Sequence, residues 1–202
     1  MPTDKHAARR AAILAAAGKV FCDKGFDGAT TLDIATAAGV SKRDLYATFP
    51  SKDDMLANLV AASVEQFSKP VHLAPPRSRA EVLATLEAFG RGFVTFLLGP
   101  DPTNLNRLAI AVADRDPGPG QTLLSAGVGG TVSRFKSYVR AANDAGYLSL
   151  PDVDTTVGAY FNMAIGHLQM RRLLDPTAEI PSAEIEANVA LAVQVLLLFE
   201  RR

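Results

Sequence analysis

The feature that most constrains this chain is a device repeated three times in its first quarter. Thr30-Thr31-Leu32-Asp33, Ser41-Lys42-Arg43-Asp44 and Ser51-Lys52-Asp53-Asp54 each set a hydroxyl three residues ahead of a carboxylate. A Ser or Thr oxygen accepts from the backbone N–H of the third helical residue, and an acid at that residue reaches back toward the cap. The spacing therefore marks a helix start, with Asp where Glu is usual. Starts at about ten-residue intervals leave the first two helices about two turns each. Between them lies Ala38-Gly39-Val40, a tight glycine turn. Helix, turn and helix, with Ile34, Ala35, Val40, Leu45 and Phe49 available as a small core, describe a helix-turn-helix over residues 30–49.

The rest of the sequence reads as helix as well. Apolar residues recur at three- and four-residue intervals and no stretch alternates as a strand would, so the expected class is all-α, with nine helices. The first covers residues 7–24, with Ile13, Ala17, Val20 and Phe21 on one face, Gly25 as a left-handed stop and Phe26 folding back on the helix. A fourth runs from Lys52 to Ser68. Pro70, Pro75 and Pro76 then mark a linker and a domain boundary, dividing an N-terminal domain of residues 7–67 from a larger one of residues 77–202. In the second domain, helices are expected over 78–98, 103–115, 120–144, 153–174 and 182–201. Gly99-Pro100-Asp101-Pro102, Pro117-Gly118-Pro119-Gly120, Gly146 and Asp175-Pro176 separate them. Gly127, Gly129 and Gly130 predict a kink or close packing within 120–144.

Charge narrows the function classes. The 21 Lys and Arg balance 21 Asp and Glu, which excludes an overt polycation. Yet residues 1–52 hold 8 basic and 5 acidic residues, net +3, and residues 53–202 hold 13 and 16, net −3. A local basic surface in the N-terminal part follows. The single cysteine, Cys22, can form no intrachain disulfide, and His6, His72 and His167 are too scattered for a metal site. No cofactor is expected. Residues 11–17 and 193–199 are apolar but too short to span a membrane, so a cytoplasmic location is expected. Gly127-Val128-Gly129-Gly130 follows no strand, and no nucleophile elbow or phosphate loop is present, so the chain is not expected to be an enzyme.

Thr30 to Ala35, Ala37-Ala38-Gly39-Val40-Ser41, Leu45-Tyr46 and Phe49-Pro50-Ser51-Lys52, with Ile13 to Ala16 and Phe21…Gly25-Phe26 upstream, resemble the DNA-binding domain of TetR-type transcriptional regulators. The resemblance covers residues 7–67; the remainder is similar to that family in length and helical layout. It implies a regulator that binds operator DNA, as a repressor more than an activator, with a variable C-terminal domain for ligand binding and dimerisation.

In a helix-turn-helix the second helix brings its first residues to base edges in the major groove, while flanking groups grip phosphates. Lys42, Arg43 and Asp44 hold that place here. The Arg43 guanidinium has the fork that reads guanine O6 and N7. Asp44 either caps Ser41 or accepts from a cytosine amino group. Thr31 and Lys52, each at a helix start, are candidates for phosphate contact, against the plain reading of Lys42 and Lys52 as solvated lysines. The resemblance adds Tyr46, whose phenol would face the DNA backbone or cap a core aromatic, and Thr48, which stands where the family often has His or Tyr.

Beyond the linker, Phe89, Phe93, Phe96, Leu108, Val112, Phe135 and Tyr138 form helical stripes that are either ordinary core or the wall of an apolar ligand pocket. Asn162 and His167 are candidates to orient such a ligand, as are Gln169 and Arg91. The last two helices are apolar on two sides and so need two covers. A second subunit would supply one, through Tyr160, Met163, His167 and Met170 on one helix and Val189, Val193 and Leu196 on the other, forming a four-helix bundle about a two-fold axis. Such a homodimer presents two reading helices one duplex turn apart and requires a palindromic operator. The expected partners are operator DNA, a second copy and a small apolar or amphipathic effector that releases the protein from DNA. The alternatives left open are a regulator that needs no ligand, or an apolar-ligand binder without DNA function.

Overall fold

The computed structural model describes residues 2–67 and 73–201, and every regular element among them is helical. The helices are α1 (Pro2–Gly28), α2 (Thr31–Ala38), α3 (Lys42–Thr48), α4 (Lys52–Phe67), α5 (Arg79–Leu97), α6 (Pro100–Val112), α7 (Gly118–Thr122), α8 (Gly129–Asp144), α9 (Val153–Ile165), α10 (Leu168–Leu174) and α11 (Ser182–Leu198). A π-helical segment, Leu123–Val128, joins α7 to α8. With α7, the π segment and α8 taken as one run, and α9 with α10 as another, the nine expected helices are all present. Of the linker expected from Lys69 to Pro76, residues 68–72 lie outside the described residues. No single helix among the described residues is long and apolar enough to cross a membrane.

The boundaries differ from expectation where a backbone detail decides them. Gly25 interrupts α1 with φ 72° and ψ 164°; this is the extended positive-φ region open only to glycine, not the left-handed helical one expected. Phe26 does fold back, its ring 5.1 Å from that of Phe21. Helix α6 starts at Pro100 rather than after Pro102, because prolines in a first turn lack only N–H groups that the helix leaves unbonded anyway. The glycine-bearing run 118–144 widens into the π segment, and Gly127 packs there against Val64. Residues 153–174 break at Gly166, with φ 51° and ψ −136°.

The chain forms two compact units, and their limits are not the linker alone. The first comprises residues 1–69 and 104–128, the second 70–103 and 129–202. In the first, Ile13, Ala17 and Phe21 of α1, Ile34 and Ala35 of α2, Leu45 of α3, Phe49, and Met55, Leu56 and Val60 of α4 form one core, completed by Leu105, Leu108 and Val112 of α6. Val40 packs against it partly buried.

In the second unit, α11 packs most extensively on α9 and then on α5. Tyr160 of α9 reaches across Gly90 of α5, its hydroxyl donating to the Leu86 carbonyl at 2.6 Å. A Cβ at position 90 would overlap that hydroxyl. At the rim, the Arg79 guanidinium grips both carboxylate oxygens of Glu200 at 2.7 Å and the Tyr147 carbonyl at 2.8 Å. The Arg79 bond holds the Glu200 carboxyl below its usual value.

Candidate nucleic-acid interface

The three repeated helix starts form, but not identically. At the first, Thr30 Oγ1 accepts from Asp33 N at 3.1 Å while Asp33 Oδ2 accepts from Thr30 N at 3.0 Å, a complete reciprocal box. At the second and third, Ser41 and Ser51 accept from Asp44 N and Asp54 N, and all three carboxylates accept from the cap hydroxyl at 2.7 Å, but the reciprocal bond from the cap's backbone N–H is seen at the first. Lys24 adds to the first box, its ammonium 2.7 Å from Asp33 Oδ1, and this bond first, then those from Thr30, lowers the Asp33 pKa to about 2.

Helix α2 ends on Gly39 with φ 64° and ψ 32°, the left-handed conformation that costs a side chain about 1–2 kcal/mol and glycine little. The chain reverses there and enters α3. Only Leu45 of the seven α3 residues is buried, so apolar packing alone cannot fix the helix. Polar ties do the rest. Asp44 Oδ1 pairs with Arg9 Nη1 of α1 at 3.1 Å. Tyr46 Oη and Thr31 Oγ1 of α2 share a 3.1 Å hydrogen bond. The Arg10 guanidinium lies 4.5 Å from the centre of the buried Phe49 ring and donates to Asn58 Oδ1. The hydroxyl of Ser41, then Arg9, keeps the Asp44 carboxyl below its usual pKa.

These ties leave Lys42 and Arg43 exposed at the start of α3, with Tyr46 exposed one turn on and Thr31 half-buried beside it. Asp44 sits among them with both carboxylate oxygens engaged. The other two expected contacts are turned to the protein. Thr48 Oγ1 donates to the Asp44 carbonyl at 2.9 Å. Lys52 Nζ donates to the Phe26 and Ala29 carbonyls, both at 2.8 Å, and lies 4.8 Å from the Phe26 ring centre. It closes the end of α1 with a cation in place of the C-cap that Gly25 does not supply. Arg115 also lies 4.9 Å from the Phe26 ring, and contacts Asp27 and Asp53 at 3.5 Å. Neither Arg9 nor Arg115 carries a local sequence signal, since their partners lie 35 and up to 88 residues away.

The residues expected to bind a ligand divide between the units. Phe89, Phe93 and Phe135 form one aromatic cluster with Tyr160 and Phe161, centroid separations running from 4.5 Å for Phe89–Phe135 to 6.4 Å for Phe89–Phe93. Tyr138 is buried, and its hydroxyl has no hydrogen-bond partner among the described residues. Phe96 is 42% exposed. Leu108 and Val112 belong to the core of the first unit, and helical periodicity alone does not reveal which neighbour covers a stripe. Asn162 is exposed, as is His167, whose Nε2 lies 3.6 Å from Glu184.

The expected subunit contacts need a correction of the same kind. Tyr160, Val189 and Leu196 are each 1% exposed and Val193 6%, so they have no surface to offer a second copy. Of the expected contacts Met170 and His167 are exposed, and the rest of the apolar surface lies at Leu174, Leu191, Leu198 and Phe199. Met163 is half-buried.

Residues 84–199 match the family model of the AefR-like transcriptional repressor C-terminal domain, and residues 13–59 that of the bacterial regulatory proteins of the tetR family. No curated protein matches the chain. Among solved structures, it is similar to a TetR transcriptional regulator from Agrobacterium tumefaciens, at 28% identity over 95% of this chain and 93% of that one, with a TM-score of 0.80. The flavonoid-responsive regulator FrrA is 24% identical over 95% and 96%, with a TM-score of 0.75. FadR from Bacillus subtilis, solved with stearoyl-CoA, shares the fold at 16% identity over 94% and 98%, with a TM-score of 0.66.

Proposed function

Because this chain belongs to the TetR family of bacterial transcriptional regulators, we propose that it is a cytoplasmic repressor that binds a palindromic operator as a homodimer and leaves it when a small apolar or amphipathic ligand binds. The observation that carries the DNA-binding part is the start of α3, where Lys42 and Arg43 stand exposed on a helix fixed by the Gly39 turn and by ties to α1 and α2. Arg43 reads a guanine edge and Lys42 adds phosphate contact. Thr31 and Tyr46, hydrogen-bonded to each other, present two hydroxyls to the backbone beside them.

Dimerisation is supported by the apolar side chains left exposed on α10 and α11, Met170, Leu174, Leu191 and Leu198. A ligand in the second unit is supported by the half-buried Phe89 at the edge of its aromatic cluster and by the Tyr138 hydroxyl, which has no partner among the described residues. One relative is described as flavonoid-responsive and another was solved in complex with stearoyl-CoA, and both molecules have large apolar parts that suit such a wall. Release is then a coupling free energy, the ligand favouring a conformation whose reading heads no longer match adjacent major grooves.

The test is selection of duplexes from a random pool with the wild-type protein, followed by titration of the enriched sequence. A palindrome is expected, bound by a species with twice the chain mass in light scattering. Arg43→Ala should cost about 1–3 kcal/mol in each half-site and relax preference at one base pair of each. Lys42→Ala should weaken selected and random duplexes alike, flattening the salt slope by about 0.9 for each phosphate it no longer neutralises. Failure to enrich any sequence sinks the DNA-binding assignment, and a monomer on the duplex sinks the palindrome.

A further inference from the structure

Arg9 and Arg10 are neighbours on α1 with opposite commitments. Arg10 is held over the Phe49 ring and by Asn58, inside the first unit. Arg9 is exposed and is drawn by Asp44 to the start of α3, beside Lys42 and Arg43. Its position is firmly set from below, because Ile13, one helical turn further on, is fully buried.

Asp44 is otherwise puzzling at such a place. A carboxylate on a surface that meets phosphates is repelled by them, and both its oxygens are already engaged within the protein, Oδ1 by Arg9 and Oδ2 by the Ser41 hydroxyl. A carboxylate can, however, aim a guanidinium. The pair with Asp44 uses Nη1 of Arg9, and a guanidinium carries five N–H donors in one plane. The rest belong to a side chain still 41% exposed. A chain of carboxylate, guanidinium and phosphate satisfies all three groups with charge-assisted bonds.

We infer that Arg9 is a DNA-contacting residue, a phosphate donor supplied by α1 and aimed by Asp44 of the reading helix; this rests on the role proposed for α3 above. Asp44 is its positioning residue. Arg10 takes no part in the contact.

The experiment is a mutant cycle on a duplex enriched from a random pool by the wild-type protein, with affinity measured as a function of salt. Arg9→Gln should bind at least tenfold more weakly than wild type and flatten the salt slope by about 1.8 for a dimer that neutralises two fewer phosphates. Arg9→Lys should recover the slope, since the charge returns without the fork. Within an Asp44→Asn background, adding Arg9→Gln should still weaken binding and flatten the slope. If the double variant instead matches Asp44→Asn in affinity and slope, Arg9 merely masks an acid and the inference is overturned. Equal binding by Arg9→Gln and wild type at every salt concentration overturns it as well. Should the wild-type protein enrich no duplex at all, this inference falls with the reading it rests on, whereas the other two outcomes remove Arg9 alone. Thermal unfolding of the exposed-site variants should match wild type, so that weaker binding reports the DNA contact and not unfolding.

Discussion

Replacing Gly90 with alanine tests the packing of the second unit most severely. An exposed Gly in a helix interior normally gains about 1 kcal/mol from such a change. Here the new methyl would overlap the Tyr160 hydroxyl and come within 2.9 Å of Val189 Cγ1 and 3.3 Å of Tyr160 Cζ. Tyr160 is 1% exposed and its hydroxyl is bonded to the Leu86 carbonyl, so it cannot step aside without leaving a buried phenol unpaired, at a cost of about 1–3 kcal/mol. Overpacking against α11 adds about 1–3 kcal/mol. After the helix gain is subtracted, the net loss is about 3 kcal/mol, or about 6–12 °C in Tm for a chain of this length. Tyr160→Phe removes the obstructing oxygen at a cost of about 1 kcal/mol, and in that background Gly90→Ala should cost about 1 kcal/mol, the overpacking less the helix gain. Thermal unfolding of the four proteins measures the cycle. A stabilised or unchanged Gly90→Ala variant, or one equally damaged with Phe at position 160, would refute the placing of the Tyr160 hydroxyl over Gly90.

Gly39→Ala meets no atom within 4 Å but must hold φ 64°, so it should lose about 1 kcal/mol through backbone strain alone, read by denaturant unfolding; no loss would mean the turn tolerates another conformation. Asp33 gives a pH signature with a definite sign. Its folded pKa is depressed to about 2 from 3.8, so its contribution is present above the unfolded value and disappears as pH falls from about 4 through about 2. The Tm advantage of wild type over Asp33→Asn should therefore shrink across that window, and Lys24→Met, which removes the largest cause, should move the loss to higher pH. An advantage that does not change between those pH values would contradict the capping geometry.

What the sequence made legible is what local chemistry encodes. Hydroxyl and acid three residues apart announce a helix start wherever they stand, and Gly39 occupies a turn whose φ glycine adopts with least strain, so α2, the turn and α3 could be placed from a few residues each. Ile34, Ala35, Leu45 and Phe49 are buried as expected. Long-range geometry was not legible. The stripe holding Leu108 and Val112 is apolar in either unit, and periodicity is silent on which core covers it. Tyr160 and Val189 looked available to a second subunit because a helix apolar all round does not say which of its faces its own chain takes. Lys52 was expected at a phosphate by its place in the motif, whereas its ammonium lies at two carbonyls, Phe26 at the end of α1 and Ala29 just past it. Arg9 carried no signal at all, being an unremarkable surface arginine until the fold sets it against Asp44.

The first unit draws Leu105, Leu108 and Val112 from beyond the linker, and this sets a timetable for the protein's synthesis. Helices emerge from the ribosome in order, and domains usually fold as they appear. Here the reading head cannot close its core when residue 67 is made, for the residues that seal it are still some forty positions away. A nascent chain must first produce α5, which belongs to the other unit, and then α6. The head is thereby kept incomplete until more than half of the polypeptide exists, and a prematurely terminated chain would carry the whole α1–α4 sequence with part of its core left unsealed.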